Sequence, residues 1–348
     1  MGLLSNRTHW FFILPSSTEA EERHIHDIAF GVKILLYKDI DYNDISVIID
    51  HAPDIKIQMA FSALNVPLPK KIYNTSEIDR LLVNNTYKNA VVFITGHGSP
   101  DGLDSFPPIK PYFFYCKFQT AEHFKRVVFY FGQCYAGIFN QMPLSTHLGL
   151  SKNPKCQMVA VGGTGLFSSV NAPLTVNNIT WSANIFLMYI FNWLLTDKDI
   201  DGDGKLSVMD SFKFASIYTN EALKDIKKKN NLQSIIEQSN LMSCIDKLHS
   251  EDIPQEEKDN IQLEILALEK MLEIRYVMQE PWILNASIAM STVFCPPPLT
   301  IAVNLSNTLR MLLLQFCAQN SAFGDVSKVG YFFDIPVSLK LSLYTIMT

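Results

Sequence analysis

The sequence predicts an α/β fold in which a mostly parallel sheet carries helices on both faces. Two apolar runs, at residues 90–95 and 126–131, are rich in β-branched and aromatic side chains, and a glycine follows each run. Continuous runs of this kind are typical of strands that are buried on both faces of a parallel sheet. Strands and helices alternate along residues 1–220, which is the order expected for crossover connections in such a sheet.

The elements of the sheet can be assigned in chain order. Apolar runs predict strands at 8–14, 45–50, 90–95, 126–131 and 158–161. Helical patterns predict helices at 19–37, with an N-cap near Thr18, and at 76–84 and 119–125. A glycine-rich turn follows the last strand, and we expect residues 165–180 to form an irregular loop that lines a substrate cleft.

The rest of the chain predicts helices and a mixed C-terminal segment. Helices are expected at 181–195, 211–229 and 256–278, and the last of these is amphipathic. Three prolines at 296–298 then separate these helices from a final stretch, which has one apolar run and alternating, strand-like residues. The predicted regions are a domain at 1–220, a helical extension at 221–295 and an α+β segment of unknown role at 296–348.

A thiol and an imidazole follow the two apolar runs. His97 lies just past the first run and Cys134 just past the second. Catalytic groups of parallel sheets sit beyond the carboxyl ends of strands, so we expect the two side chains to meet at one edge. A thiol with an adjacent base is a nucleophile for acyl transfer. Gly98 can approach a substrate closely, and its N–H with that of Cys134 would form an oxyanion hole.

Several segments around these residues resemble one family of cysteine peptidases. The opening strand 9–14, the Arg23-His24 pair at a helix start and the string at 95–98 resemble the legumain and GPI-transamidase family, whose members have the caspase-like fold. The resemblance extends over roughly residues 8–220. It implies a caspase-like sheet, His97 as general base and Cys134 as nucleophile. It also implies that a protein or peptide is the substrate.

The resemblance also indicates substrate-binding residues, although the sequence differs from the legumain pattern at other positions near the site. Arg23 matches a residue that lines the primary specificity pocket of legumains, where a guanidinium would favour an acidic or amide side chain. We expect Gln133 and Ser168 to contact substrate as well. Glu21 stands where legumains have an asparagine that supports the catalytic histidine. Gly132 stands where legumains have a glutamate.

A second motif, at residues 199–210, has the form of an EF-hand calcium loop. The expected Ca²⁺ ligands are Asp199, Asp201, Asp203, Asp210 and the backbone carbonyl of Lys205. The last position of the loop holds Asp210 instead of glutamate, and the shorter carboxylate reaches an ion less easily with both oxygens. Regulatory EF-hands usually pair, so this single loop favours a structural or gating ion over a sensor module.

Composition and sequence patterns argue against a nucleic-acid-binding protein, a nucleotide-dependent enzyme and a membrane protein. A net charge of −5 and a pI near 5.9 give no electrostatic reason to expect nucleic-acid binding. No organic cofactor is expected, because the glycine-rich turn lacks the spacing of a nucleotide site. No apolar stretch predicts a membrane span, and the N-terminus does not read as a signal peptide. We therefore expect a cytoplasmic protein, with secretion by a signal-independent route left open and the oligomeric state undetermined.

The sequence raises three alternatives to hydrolysis by a peptidase. A transpeptidase of the same fold would use an amine in place of water. GPI-transamidase itself is disfavoured by the missing signal and membrane segments. A calcium-binding pseudoprotease that acts as an interaction module is disfavoured because both His97 and Cys134 are present.

Overall fold

The computed structural model describes residues 2–4, 7–121, 123–144, 156–250, 253–275 and 280–295. The described residues divide into two units, one up to Asn171 and from Ala183 onwards, and a second that includes Ala172–Ser182. Of the second unit, the described residues are 172–182. The predicted α+β segment at 296–348 lies outside the described residues.

Strands and helices alternate along the described chain, with two antiparallel hairpins inserted. The strands are β1 (Thr8–Leu14), β2 (Ile45–Ile49), β3 (Ile72–Tyr73), β4 (Asn89–Ile94), β5 (Gly98–Ser99), β6 (Gly102–Leu103), β7 (Arg126–Phe131), β8 (Gln157–Gly162), β9 (Asn171–Val176), β10 (Ile179–Asn184), β11 (Leu206–Ser207), β12 (Trp282–Leu284) and β13 (Val293–Cys295). The helices are α1 (Glu22–Tyr37), α2 (Asp54–Ala63), α3 (Ile78–Val83), α4 (Pro111–Thr120), α5 (Ile185–Thr196), α6 (Val208–Leu248), α7 (Gln255–Arg275) and α8 (Ala286–Ser291).

Seven of the strands form one sheet, in the order β12-β8-β7-β4-β1-β2-β3. Every neighbouring pair is parallel except β12 with β8, which is antiparallel. The five predicted strands are all present, and they are the five inner strands of the sheet. The predicted fold class, α/β with a mostly parallel sheet and helices on both faces, is confirmed.

The core lies on both faces of the sheet because side chains alternate along each strand. On one face, Phe11 and Phe129 pack with residues of α3 and α4. On the other face, Phe12 and Phe93 stack on each other and contact Phe191 of α5. Strands that bury aromatic rings on both sides read as continuous apolar runs, which is why the sequence indicates them clearly.

Helix α1 begins at Glu22, three residues after the predicted start at residue 19. Glu21 is the N-cap residue, with an extended backbone and no side-chain capping bond. The chain before it is held by the bond from the Ala20 N–H to the His51 carbonyl. The prediction of an N-cap near Thr18 was therefore wrong, because residues 15–21 form no helical turn and residues 17–19 are bends.

The predicted helix at 119–125 was wrong, and α4 occupies Pro111–Thr120 instead. Proline is favourable in the first turn of a helix, and Pro111 stands there. Phe114 and Phe118 are one turn apart and both are fully buried. Their shared face ties α4 to the sheet, and the residues after Thr120 lead into β7.

The predicted loop at 165–180 was also wrong in its second half. Residues 171–184 form the hairpin of β9 and β10, and its turn is Asn177-Asn178 with φ values of +51° and +64°. Two asparagines with positive φ suit a tight turn between antiparallel strands. Helix α5 consequently begins at Ile185, four residues after the predicted start at Trp181.

The predicted helices of the later chain are present. Helix α6 is a single helix of 41 residues that passes through the predicted boundary at residue 220, and α7 packs along it. Strand β12, from the predicted extension, joins the edge of the main sheet. The division into regions at 220 stays a prediction. Within the described part of the chain, no helix is long and apolar enough to cross a bilayer.

Candidate active site

His97 and Cys134 lie at equivalent positions after two neighbouring strands. Ile94 of β4 pairs in parallel register with Phe131 of β7, so each of the two residues stands three positions beyond its strand. The ladder extends by one further bond, from the Gly132 N–H to the Ile94 carbonyl at 2.9 Å. Parallel register therefore brings both backbones to the same edge of the sheet.

Gly98 brings the loop after β4 against the main chain of Cys134. A methyl group on Gly98 would lie 2.1 Å from the Cys134 carbonyl oxygen and 2.8 Å from the side chain of Gln133. Only a residue without a side chain allows this approach. The contact joins the two loops that carry the predicted base and nucleophile.

A carboxylate holds the imidazole of His97 from the side of β1. Oε1 of Glu21 lies 2.7 Å from Nε2 of His97, and Oε2 of Glu21 accepts a bond from Nε of Arg23 at 2.5 Å. The hydrogen bond from Arg23, helped by the one from His97, lowers the pKa of Glu21 to about 2. Because the ionised carboxylate only accepts, Nε2 of His97 is the donor, and Nδ1 of the neutral ring carries the lone pair.

A buried relay supports a second histidine beside His97. The Thr95 hydroxyl donates to Oδ2 of Asp27 at 3.3 Å, and Nδ1 of His24 lies 3.1 Å from the same hydroxyl oxygen. The rings of His24 and His97 meet edge to face with centroids 5.3 Å apart. Burial lowers the pKa of His24, against the opposing effect of Asp27, so the ring is neutral at neutral pH.

The loop after β8 holds the thiol of Cys134. The Ser169 N–H donates to Sγ of Cys134 at 3.3 Å, and the Ser169 hydroxyl lies 3.4 Å from the same sulfur. These two contacts give the sulfur polar neighbours. By contrast, burial raises the pKa of Cys156 to about 12. The half-buried Cys134 is thus in a polar setting that the buried Cys156 lacks.

The structure places the three predicted substrate-binding residues differently. Arg23 is partly exposed beside Glu21. Ser168 is exposed, while its neighbour Ser169 contacts the thiol. Gln133 is 1% exposed, and its amide has no hydrogen-bond partner among the described residues. Its side chain therefore lies behind the site against Gly98. Contact of these residues with a substrate stays a prediction.

The cluster lies at the point where the strand order of the sheet reverses. From β1 the chain continues outward through β2 and β3 and then returns to the other side of β1, so β4 and all later parallel strands of the described chain lie on that side. Ligands of open α/β sheets bind in the crevice at such a point. Glu21 follows β1 and His97 follows β4, so their hydrogen bond spans this crevice.

The predicted calcium loop has three carboxylates close together. Asp199, Asp201 and Asp203 each place an oxygen within 4.8 Å of the other two. Asp199 also accepts bonds from the N–H groups of Gly202 and Gly204, at 2.7 and 2.8 Å. Gly204, at the sharp-turn position, has a φ of +79°. The oxygen-rich donor set fits a hard cation such as Ca²⁺.

Asp210 is bonded to the backbone of the loop. One oxygen accepts from the Ile200 N–H at 2.8 Å, and the other accepts from the Ser207 N–H at 2.9 Å and from its hydroxyl at 2.6 Å. Ser207 and Asp210 form the capping box of α6. The structure thus groups Asp199 with Asp201 and Asp203, and gives Asp210 the role of closing the loop.

Strand β11, within the loop, pairs with β13 in antiparallel fashion. Here the partner is a strand from the region after α8, so the loop is tied to its own domain.

Comparisons with known proteins concern the fold. No protein-family model matches the sequence, and no curated protein sequence matches it. Among solved structures, the chain is similar to the crystal structure of caspase-1 from Spodoptera frugiperda, with a TM-score of 0.33 and 12% identity over 60% of this chain and 77% of that chain. This likeness is to the fold alone, so membership of the legumain and GPI-transamidase family and calcium binding stay predictions.

Sequence reasoning did not find the relay of Asp27 and Thr95 or the contact of Ser169 with the thiol. Asp27 lies one turn after Arg23 and reads as an ordinary helical acid. A signal was present for Glu21, because it stands where legumains have a residue that supports the histidine. The contacts of Asp27, Thr95 and Ser169 depend on which loops meet at the edge of the sheet. Local sequence patterns do not indicate which loops these are.

Proposed function

We propose that this protein is a cysteine endopeptidase in which Cys134 is the nucleophile and His97 the general base. The observation that carries the proposal is the close approach of Gly98 to the Cys134 carbonyl, 2.1 Å for an added methyl group. This approach joins the loop of the base to the loop of the nucleophile. Neighbouring strands in parallel register support the same placement.

The chemistry follows from the groups present. Sγ of Cys134 attacks the peptide carbonyl carbon, and Nδ1 of His97 takes the thiol proton. The N–H groups of Gly98 and Cys134 are assigned to the oxyanion. The amine leaves with the proton from His97, and water then hydrolyses the thioester to restore the thiol.

Glu21 is proposed as the residue that orients the base. Its bond to Nε2 fixes the tautomer in which Nδ1 can accept a proton. An ionised carboxylate also stabilises the imidazolium that forms when the proton arrives. The side chain of His97 is 45% exposed, which leaves room for a polypeptide to enter from solvent.

We also propose that the loop at 199–210 binds Ca²⁺ and stabilises the domain. The three grouped carboxylates would repel one another without a cation, and the capping box of Ser207 and Asp210 links the loop to α6. This loop is separate from the residues that carry the chemistry, so its role is structural or gating.

The test is turnover of a fluorogenic peptide library by the full chain. Wild type, Cys134→Ala and Cys116→Ala would be compared with calcium and with chelator. Cys116 is an exposed thiol and serves as the matched control. Turnover lost in Cys134→Ala and kept in Cys116→Ala supports the peptidase and gives its specificity. Turnover that survives in Cys134→Ala contradicts it, and release of an amine-joined product in place of a free acid would indicate a transpeptidase.

A further inference from the structure

The proposed base His97 and two of its neighbours, Glu21 and His24, form a set of potential metal ligands. Glu21, His24 and His97 each place one carboxylate oxygen or ring nitrogen within 4.8 Å of the other two. Two imidazole nitrogens and one carboxylate oxygen suit zinc and related transition ions, and three protein ligands leave one coordination position open.

The state of His24 is an independent indication of a ligand. The Thr95 hydroxyl donates its hydrogen to the Asp27 carboxylate, so its oxygen must accept from Nδ1 of His24 at 3.1 Å. The ring proton is therefore on Nδ1, and Nε2 carries a lone pair. His24 is 3% exposed, and Nε2 has no hydrogen-bond partner among the described residues.

This arrangement is the one that metal-binding histidines adopt. Such a histidine donates one ring N–H to a polar group in a second layer, which fixes the tautomer and turns the other nitrogen to the ion. Thr95 and Asp27 supply that second layer for His24. An acceptor that is buried without a partner destabilises the fold, and a bound cation would remove this cost.

We propose that Glu21, His24 and His97 form a binding site for one divalent transition-metal ion of the zinc class. Oε2 of Glu21 is engaged by Arg23, which leaves Oε1 on the side of His97 for the ion. Glu21 and His97 are each about half exposed, so small rotations can open their 2.7 Å contact to the separation of two metal ligands. The buried carboxylate of Asp27 supports the added positive charge.

Metal binding would switch off the base. The ion takes Nε2 of His97, and the single proton of the neutral ring then resides on Nδ1, which can no longer accept the proton of Cys134. This inhibition rests on the proposed peptidase function, whereas the binding of the ion does not.

The experiment measures binding of Zn²⁺ and Co²⁺ alone to the full chain carrying Cys134→Ala, which removes the thiol as a ligand. Millimolar calcium is present to occupy the loop at 199–210. His24→Gln and Glu21→Gln are each added to the Cys134→Ala chain. The matched controls are His51→Gln and Glu22→Gln, which are at exposed positions outside the cluster. Thermal unfolding establishes that each variant is folded.

We expect one zinc ion per chain and a loss of affinity of more than about tenfold in His24→Gln and in Glu21→Gln, with no change in the controls. Binding that is unchanged in both cluster variants overturns the proposal. If His24→Gln does not fold, Glu21→Gln decides the outcome alone. Cobalt bound to the protein with an intact thiol gives a further criterion, since an intense thiolate charge-transfer band would place the ion on Cys134 and contradict the assigned ligands.

A separate measurement tests the inhibition. Zinc should reduce peptide turnover by wild type, and addition of a chelator should restore that turnover. If the inactive variant binds zinc through His24 but wild type shows no turnover at all, the metal site stands and the peptidase function fails. If wild type is active and zinc-insensitive while the cluster still binds zinc, the proposed switch is wrong.

Discussion

Oε1 of Glu21 lies 2.7 Å from Nε2 of His97, across the crevice where the strand order of the sheet reverses. Glu21 is the N-cap of α1 but makes no capping bond there. Its carboxylate instead bonds to His97 and to Arg23. A residue that could stabilise its own helix thus directs its charge to His97, the proposed base.

We expect Glu21→Gln to lower kcat/KM by about tenfold to a hundredfold, less than removal of the base itself. An amide can still accept from Nε2, but it no longer stabilises the imidazolium. Steady-state kinetics on a peptide substrate measures the effect, and Glu22→Gln, at the exposed neighbouring position, is the control. Equal rates for Glu21→Gln and wild type would show that the carboxylate is not part of the machinery.

Gly98→Ala should abolish turnover while leaving the protein folded. The added methyl would lie 2.1 Å from the Cys134 carbonyl, so the two loops must separate and the pair loses its geometry. Gly165→Ala is the matched control, because a methyl there meets no atom of the described chain within 4 Å. Peptide turnover and the melting temperature are measured together. Full activity in Gly98→Ala would contradict the assigned site.

The sequence predicts the centre of the sheet because strands that are buried on both faces appear in the sequence as continuous apolar runs. Strands β4 and β7 are continuous apolar runs, and their ends place His97 and Cys134 at one edge. The hairpin of β9 and β10 was missed because its strands mix polar and apolar residues, and Asn177-Asn178 is a weaker turn signal than one with glycine.

Details of the candidate site depend on contacts between distant segments. Gly132 stands where the resemblance expects a glutamate, and a methyl on Gly132 would lie 2.6 Å from the side chain of Leu187 in α5. Asn184 caps α5 and also donates to the Gly132 carbonyl. No local pattern around Cys134 reports the approach of that helix, so the departure has a physical reason that appears only in the structure.

Calcium should stabilise the fold through the loop at 199–210. An ion present at a hundred times its dissociation constant adds about 3 kcal/mol to the free energy of unfolding, so chelator should lower the melting temperature. Asp203→Asn should abolish this difference, while Asp225→Asn, on the exposed surface of α6, should keep it. A melting temperature that is indifferent to chelator in wild type, together with no calcium by equilibrium dialysis, would contradict the calcium site.

We expect the protein to become more stable when Gln133 is replaced by an apolar residue of similar size. Gln133 is 1% exposed, and neither amide atom has a partner among the described residues. Replacing it by methionine keeps the volume and removes a buried polar group, so Gln133→Met should raise the free energy of unfolding by about 1 kcal/mol. Urea denaturation measures the change. A loss of stability would show that the amide is satisfied in solution, for instance by a buried water.

His9 lies at the opposite end of β1 and predicts a dependence of stability on pH. It is buried, stacks on Phe11 with centroids 4.4 Å apart, and contacts Ser46 through Nε2 at 2.8 Å. Burial lowers the pKa of His9 from 6.5 to about 4. Between these values the unfolded chain binds a proton that the folded chain does not.

The stabilising effect of neutral His9 is therefore complete above pH 6.5 and is lost as the pH falls towards 4. The shift corresponds to at most about 3 kcal/mol over this window. His9→Gln does not titrate, so its free energy of unfolding should fall less steeply than that of wild type between about pH 7 and pH 4. Parallel curves for wild type and His9→Gln would mean that His9 takes up its proton in the folded protein as readily as in the unfolded chain.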